Sequence, residues 1–229
     1  MKKMLANNDL TSERRRIKEL IKILQREYPE AECSLNYQSP FELLIATILA
    51  AQCTDERVNR VTPELFKRYP GPEQLARANL QELQKLIRST GFFHSKALAL
   101  RSCSQELVTR YGGKVPDKLE QLMQLRGVGR KTANVVLGNC FGIPSVAVDT
   151  HVGRLSRRLG ISEYRDPAKV EKDIEKRVPR EFWNVFSHLL IFHGRAVCTA
   201  RNPHCPECPV ARLCPKIGVG SKVSGLRSL

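Results

Sequence analysis

The chain has 229 residues, of which 41% are hydrophobic and 27% are charged. This composition is typical of a globular protein and excludes a largely disordered one, and the length allows one large core or two modest ones. Lys and Arg number 38 against 23 Asp and Glu, a net charge of +15 that favours nucleic acid as the partner. The same charge would also suit an anionic membrane surface or a ribosomal or purely structural role.

The termini carry no sign of membrane insertion or export. No apolar stretch approaches the roughly 20 residues that span a bilayer. Residues 1–10 contain two lysines with no apolar run behind them, so we expect no signal peptide. In a reducing compartment the eight cysteines would be thiols, metal ligands or catalytic groups rather than disulfides. Residues 218–229 indicate a basic, flexible tail.

Helix-start signals recur along the chain, and sustained two-residue alternation is absent, so the pattern predicts an all-α fold. In residues 11–28 the apolar side chains fall on one helical face. Ser39-Pro40-Phe41-Glu42 combines a capping box with a proline at the first helical position. Similar signals predict helix starts at Thr62-Pro63, Asn79 to Glu82, Asp117 to Glu120 and Asp166-Pro167.

A short stretch, Leu125 to Ala133, joins two predicted helices at 117–125 and 131–138. Its two glycines would let the backbone approach a phosphate, and the first amides of the second helix would point outward as donors. With the positive charge of Arg126, Arg130 and Lys131, this turn predicts a grip on the DNA backbone that is independent of base sequence. The alternative is a packing corner between two helices with solvated basic residues.

Lys131 lies in the first turn of the second of these helices. The positive end of the helix dipole and the neighbouring arginines disfavour its ammonium, so we expect its pKa to fall. More free amine near neutral pH is what a Schiff-base nucleophile requires. A lysine that only binds phosphate would occupy the same place, and the residues alone allow both roles.

Asp149 precedes a predicted helix at 150–159 and is placed to cap it. A carboxylate that accepts backbone amides is held ionised and rigid. Such a group could stabilise the positive charge that develops on a sugar ring as its base departs. Capping alone is the simpler alternative, and the two roles are compatible.

Four of the cysteines follow one another within 17 residues in the pattern C-x6-C-x2-C-x5-C. Closely spaced thiolates suit zinc or an iron–sulfur cluster, and such a centre can organise a small, loop-rich lobe. The spacing matches neither the bacterial ferredoxin run nor a regular pair of zinc knuckles, so it predicts a metal without identifying it. Ordinary buried thiols are the alternative. The four residues are Cys198, Cys205, Cys208 and Cys214.

Together these segments resemble the endonuclease III family, bifunctional DNA glycosylases of the helix-hairpin-helix superfamily. The resemblance runs from about Pro40 to Cys214 and covers most of the chain. Besides the four-cysteine loop, its motifs are FELLI at 41–45, AQCTD at 51–55, GVGRKTAN at 127–134 and VDTH at 148–151.

The resemblance implies two all-α lobes with a DNA-binding cleft between them. Residues 33–143 would form a central helical barrel, with the helix-hairpin-helix at about 119–141. Residues 1–32 and 144–229 would form the second lobe, which contains the four-cysteine loop at 198–214. No Gly/Ser-rich linker or internal repeat divides the chain, although the pattern breaks after Gly142-Ile143-Pro144.

The resemblance also implies the chemistry. Lys131 would attack C1′ of the damaged nucleotide, with Asp149 assisting activation and proton transfer. After the base leaves, β-elimination through the imine would break the strand 3′ to the lesion. The substrates would be oxidised pyrimidines such as thymine glycol, or abasic sites, in double-stranded DNA. The four cysteines would hold a [4Fe-4S] cluster that organises a DNA-facing loop and does no redox chemistry on the substrate.

A nucleotide that leaves the duplex creates a gap, and Gln52 matches the family residue that fills it. Phe92, where the family often has Leu, belongs to a loop that presses on the base stack, unless it packs inward beside Phe93. Ala50 replaces a frequent Ser of the family. A structural hydrogen-bonding role is the alternative for His151. The remaining DNA contacts implied are Arg126, Gly127, Val128, Gly129, Arg130, Lys131 and His151.

Two other functions remain open from the residues alone. A monofunctional adenine glycosylase of the same superfamily shares the hairpin, the aspartate and the cluster, but lacks the nucleophilic lysine, so Lys131 counts against it. A non-catalytic DNA-binding protein with a four-cysteine zinc lobe would keep the hairpin and the charge. For all three functions we expect a cytoplasmic monomer, nucleoid-associated if bacterial and not secreted.

Overall fold

Every regular element in residues 2–219, the part of the chain that the computed structural model describes, is helical, which confirms the all-α fold. Side chains are described from residue 12 onward, and residues 220–229 of the expected tail lie outside this part. None of the described helices is long and apolar enough to cross a membrane. The α-helices are α1 (Lys2–Glu27), α2 (Pro40–Leu49), α3 (Asp55–Arg68), α4 (Pro72–Ala76), α5 (Leu80–Ile87), α6 (Phe93–Tyr111), α7 (Leu119–Met123), α8 (Arg130–Cys140), α9 (Thr150–Arg158), α10 (Pro167–Arg177) and α11 (Trp183–Ala196).

Side-chain caps confirm three of the predicted helix starts. The hydroxyl of Ser39 accepts the backbone N–H of Glu42 at the start of α2. The side chain of Asn79 accepts two backbone N–H groups of α5, and that of Asp166 accepts the N–H of Lys169 in α10. Each such cap satisfies a donor that the helix itself leaves unpaired, and a cap is worth about 1 kcal/mol.

The predicted helix start at Thr62-Pro63 is wrong, because both residues lie inside α3. That helix begins more than two turns earlier than the proline suggests, after Thr54, whose hydroxyl accepts the N–H of Arg57. Proline inside a helix removes one backbone donor and is normally unfavourable. Here the buried face of α3, which includes Val58 and Leu65, packs into the core and keeps the helix continuous across Pro63.

The helix expected at 117–125 is shorter than the sequence indicates. Its observed counterpart, α7, has five residues and follows Lys118, which makes no side-chain cap, so Asp117 does not cap it. The next helix, α8, begins at Arg130, one residue earlier than expected, and its flanking residue is Gly129. The connection between the two helices therefore comprises residues 124–129, which include Gly127 and Gly129.

The described residues form two compact units. The continuous unit, Glu32–Ala147, has α2 near its centre, since nearly the whole of that helix is buried and it packs against α3, α6 and α8. The other unit combines the chain up to Ala31 with the chain from Val148 onward, and in it α1 and α9 pack against α10 and α11.

The turn before α8 is held by a close approach of its backbone to two helices. Gly127 has φ +82°, a conformation that favours glycine. A Cβ at this residue would lie 2.9 Å from Cβ of Ala99 in α6 and 3.5 Å from Cγ2 of Ile48 in α2. Val128 is buried beside it. The turn is thus anchored to the core of its unit through a residue that has no side chain.

Replacing Gly127 with Ala should destabilise the protein by about 1–3 kcal/mol, because the new methyl group meets Ala99 and the backbone conformation becomes strained. Gly129→Ala is the matched control, since Gly129 has φ −91° and a Cβ there meets nothing within 4 Å. We expect the control to change stability by about 1 kcal/mol or less. Chemical denaturation measures both values, and an equal loss in the two variants would contradict the packing argument.

Candidate active site and metal centre

The basic residues predicted from the hairpin lie at the start of α8 and in the turn before it. Lys131 is exposed in the first turn of the helix, and Arg126 is exposed in the turn. The backbone N–H of Arg126 donates to Oε2 of Glu106 at 2.8 Å, which ties the turn to α6. An exposed lysine amine at the start of a helix can reach a ligand.

Cys33 is a neighbour of Lys131 that the sequence did not indicate. Burial raises the pKa of this thiol, and the positive charge of Lys131 lies close enough to act in the opposite direction. The carboxylate of Asp55 adds to the rise. The surroundings of Lys131 therefore include this thiol as well as the arginines of the hairpin.

Asn134 is a structural residue of the hairpin motif whose role sequence reasoning missed. Its amide donates to the carbonyl of Val146 at 2.8 Å, and the hydroxyl of Ser145 donates to the carbonyl of Asn134 at 2.7 Å. The side chain is buried in a helix face that is otherwise apolar, and this isolated polar residue was the available signal. These bonds hold α8 to the segment that ends the Glu32–Ala147 unit.

Asp149 caps α9, as the sequence predicted. Its Oδ1 accepts the backbone N–H of Val152 at 2.8 Å, and its carbonyl accepts the N–H of Gly153 at 2.9 Å. The carboxylate is half-buried. The helix amide thus fixes the orientation of the carboxylate.

His151 is packed between helices of its own unit. Its Nδ1 lies 3.1 Å from a guanidinium nitrogen of Arg154, and a Cβ on Gly194 would come within 2.9 Å of it. Burial lowers its pKa, while the carboxylate of Asp149 acts in the opposite direction. These contacts give His151 a structural role in joining α9 to α11, and its contact with DNA stays a prediction.

Gln52 and Phe92 are exposed residues with left-handed backbones, at φ 53° and 48°. Phe92 is 64% exposed, whereas Phe93 is partly buried against the core, so the inward-packing alternative describes Phe93 and not Phe92. Non-glycine residues in this conformation cost about 1–3 kcal/mol and concentrate at functional sites. The exposure of both side chains leaves them accessible to a ligand.

The four cysteines of the C-terminal loop line one cavity. Apolar side chains such as Leu155, Leu159 and Val210 complete its walls. Among the side chains of residues 12–219, no three of His, Cys, Asp or Glu are arranged to hold a metal ion. Zinc needs its sulfur ligands about 2.3 Å from one point. Four sulfurs around a cavity suit a larger, multi-atom centre instead.

Hydrogen-bond donors surround the cysteine sulfurs. A guanidinium nitrogen of Arg158 lies 3.2 Å from Sγ of Cys198, and Nε2 of His193 lies 3.4 Å from Sγ of Cys208. Burial raises the pKa of the Cys208 thiol, and the other cysteines of the loop raise it further. Thiolates crowded in this way require a compensating cation, so the donor set fits an iron–sulfur cluster.

Arg158 also holds the loop that carries the first cysteine. It is 9% exposed, and its guanidinium donates to the carbonyls of Thr199 at 2.7 Å and Ala200 at 2.9 Å. Arg154, one turn earlier on α9, donates to the carbonyl of Cys198. Since the loop contains only short 3-10 turns, these two arginines replace the backbone bonds that regular structure would supply.

Arg158→Met should accelerate the loss of iron to a chelator by roughly 10–100-fold, because it removes donors to Cys198 and to two loop carbonyls. Its neighbour Arg157 is the matched control, since its guanidinium bonds the carbonyl of Tyr164 at 3.4 Å and no cysteine contact is described for it. Visible absorption and iron content, followed over time with a chelator, measure the effect. Equal rates of iron loss in Arg158→Met and Arg157→Met would contradict this role.

Two family models match the chain. Residues 45–180 match the model of the HhH-GPD superfamily base excision DNA repair protein. Residues 198–214 match the iron–sulfur binding domain of endonuclease III, and these limits coincide with the first and last of the four cysteines. The metal centre is therefore a [4Fe-4S] cluster, and the zinc alternative is wrong.

The chain is similar to curated endonuclease III proteins and to solved structures. It is 52% identical to the endonuclease III of Synechocystis sp. over 207 residues, which cover 90% of this chain and 94% of the relative. With that of Bacillus subtilis the identity is 49% over 188 residues, 82% and 86% of the two chains. A trapped endonuclease III–DNA covalent intermediate, 44% identical, matches with a TM-score of 0.83 over 89% of this chain and 96% of that one. The chain therefore belongs to the endonuclease III family.

Proposed function

We propose that the protein is a base-excision repair DNA glycosylase that removes oxidised pyrimidines and cleaves the resulting abasic site through a Schiff base on Lys131. The observation that carries the proposal is the exposed amine of Lys131 at the rigid start of α8, in a chain of this family. It would act as a monomer on double-stranded DNA, associated with the nucleoid in a bacterium. The net charge of +15 favours that partner.

The hairpin offers a phosphate two kinds of positive group. Gly129 flanks the start of α8, and a Cβ there would meet open space, so its backbone is accessible. The helix dipole favours an anion at this end of α8. The exposed guanidinium of Arg126 adds charge beside it. We infer that the hairpin binds the DNA backbone without reading the bases.

The chemistry requires one amine and one carboxylate. The neutral amine of Lys131 would attack C1′ as the bond from C1′ to the base breaks, and the base would leave with a proton. The nitrogen would lose a proton, and its lone pair would then expel O4′ from C1′, so that O4′ takes up a proton and the opened sugar is held as a protonated imine. The imine would then allow a proton to leave C2′ while the 3′ C–O bond breaks. Asp149, oriented by its bond to the N–H of Val152, would stabilise the developing charge and accept a proton.

The [4Fe-4S] cluster, when bound, supplies structural organisation to the loop at 198–214 and no redox step on the substrate. Cys198, Cys205, Cys208 and Cys214 would hold it. Arg158 and His193 would donate to its ligand sulfurs and so keep the loop in place.

Gln52 and Phe92 are the proposed contacts to the disrupted duplex. A flipped nucleotide leaves a gap that must be filled, and the exposed amide of Gln52 can hydrogen-bond the base left behind. The exposed ring of Phe92 offers a flat face to a neighbouring base, and such stacking is worth about 1–3 kcal/mol in single-strand binders. A leucine, frequent in the family at this place, fills space without stacking.

Lys131→Gln should abolish covalent trapping by borohydride, because the amide cannot form an imine, while affinity for damaged duplex is largely kept. Arg126→Gln is the matched control in the same hairpin. It should still be trapped at saturating DNA. It should bind more weakly, and the slope of log affinity against log salt concentration should fall by about 1, because one phosphate contact is lost. Trapping gels and binding titrations at several salt concentrations measure both. Undiminished trapping of Lys131→Gln would refute the nucleophile, and absence of trapping in the unaltered protein would refute the lyase activity.

Asp149→Asn should slow base release by roughly 10²–10⁴-fold, because an amide neither accepts a proton nor balances positive charge. Its stability should change by about 1 kcal/mol or less, since Asn is also a good helix cap. Asp166→Asn, the same change at the cap of α10, is the control for capping alone. Single-turnover glycosylase assays and thermal unfolding separate the two effects. Normal turnover with a large loss of stability would make Asp149 a structural residue only.

A further inference from the structure

Lys96 is a buried cation that the chemistry proposed above does not use. It lies in the first turns of α6, in the unit Glu32–Ala147, and is 6% exposed. Its Nζ donates to the carbonyl of Leu49 at 2.8 Å and to the carbonyl of Thr90 at 2.8 Å. Burying an ammonium is costly unless its donors find acceptors, and an apolar side chain of similar size would avoid that cost. The two carbonyls that it bonds therefore indicate what this buried charge does in the protein.

Both carbonyls lie in the backbone just before an exposed loop residue. Leu49 is the last residue of α2, three positions before Gln52. Thr90 lies two positions before Phe92, which flanks the start of α6. In the described part of the chain, Gln52, Phe92 and Lys216 are the non-glycine residues with positive φ. One ammonium thus bonds the backbone shortly before each of the two strained, exposed residues of this unit.

The strain at these two residues needs support from their surroundings. Left-handed backbones of non-glycine residues persist only where neighbouring structure determines them. At Phe92 the carbonyl accepts both the N–H of Lys96 at 3.0 Å and the hydroxyl of Ser95 at 2.9 Å. At Gln52 the turn is closed by the N–H of Cys53 bonding the carbonyl of Ala50 at 3.1 Å. The ammonium of Lys96 donates a hydrogen bond to the backbone at the start of each loop and so links the two.

We propose that Lys96 is a positioning residue that couples these loops, so that the side chains of Gln52 and Phe92 meet the duplex at a fixed separation. The inference rests on the proposed function, in which both side chains enter the DNA. Lys96 itself is too buried to contact a phosphate. Its contribution is to order both loops before binding, so that the entropy of ordering them is not lost when the duplex is distorted.

A role for Lys96 in stability alone predicts a different experimental result from a role in coupling the two loops. If Lys96 only stabilises the fold, its loss lowers every activity of the protein together. If it couples the loops, its loss weakens the reactions that require a gap in a duplex to be filled and spares those that do not. An abasic site in single-stranded DNA has no opposite strand and no gap, yet it offers Lys131 the same reacting carbon.

The test is Lys96→Met, which keeps the length of the side chain and removes its donors. Trapping rates are compared at saturating enzyme on one abasic oligonucleotide, single-stranded and paired. We expect the duplex rate to fall by about tenfold, the loss expected from one stacking contact, and the single-strand rate to fall far less. Lys85→Met removes an exposed lysine of α5 and controls for the lost charge. A proportional fall on both substrates, or no fall on the duplex, would overturn the coupling.

A double-mutant cycle tests whether the lysine acts through the two loops. In a Gln52→Ala, Phe92→Ala background, Lys96→Met should have little further effect on the duplex rate, because the side chains it positions are gone. A full additional tenfold loss would overturn the proposal. Should Lys96→Met fail to fold, Lys96→Gln keeps an amide donor and should show a smaller fall on the duplex only. An unaltered protein that traps neither substrate would instead overturn the proposed function, and this inference with it.

Discussion

The start of α8 depends on the contact of Gly127 with Ala99 and Ile48, where a Cβ would lie 2.9 Å from its nearest neighbour. Because the backbone itself packs against α2 and α6, the following helix begins at a place set by the core and not by a flexible loop. The backbone of Lys131, whose side chain is exposed, therefore starts from a fixed place. A reactive group needs such a support, since displacement by 1 Å can cost about 10²-fold in rate.

A second constraint is the use of buried and half-buried cations to hold irregular backbone. Lys96 bonds the carbonyls of two loops, while Arg154 and Arg158 bond carbonyls of the cysteine loop. Loops lack the ladders that satisfy carbonyls in helices, and a side chain with several donors can replace them. Part of the positive charge that indicates a DNA partner therefore serves the fold of the protein itself.

Local signals identified much of the fold and the site, and they failed where packing overrode them. The caps at Ser39, Asn79 and Asp166 were readable because a capping bond spans only a few residues. Thr62-Pro63 looked like a start because proline usually marks one, but the buried face of α3 carries the helix through it. Local propensity is a weak prior wherever a helix has a large buried face.

The sequence by itself determined the helical class, the hairpin with Lys131, the cap Asp149 and the four grouped cysteines, because each depends on residue type and short spacing. The tertiary structure decided which of two adjacent phenylalanines is exposed, that the cysteine sulfurs line a cavity, and that a lysine lies between two loops. Leu49 and Thr90 are 47 and 6 residues from Lys96. Such pairings depend on how helices pack, and no periodicity or spacing in the chain encodes them directly.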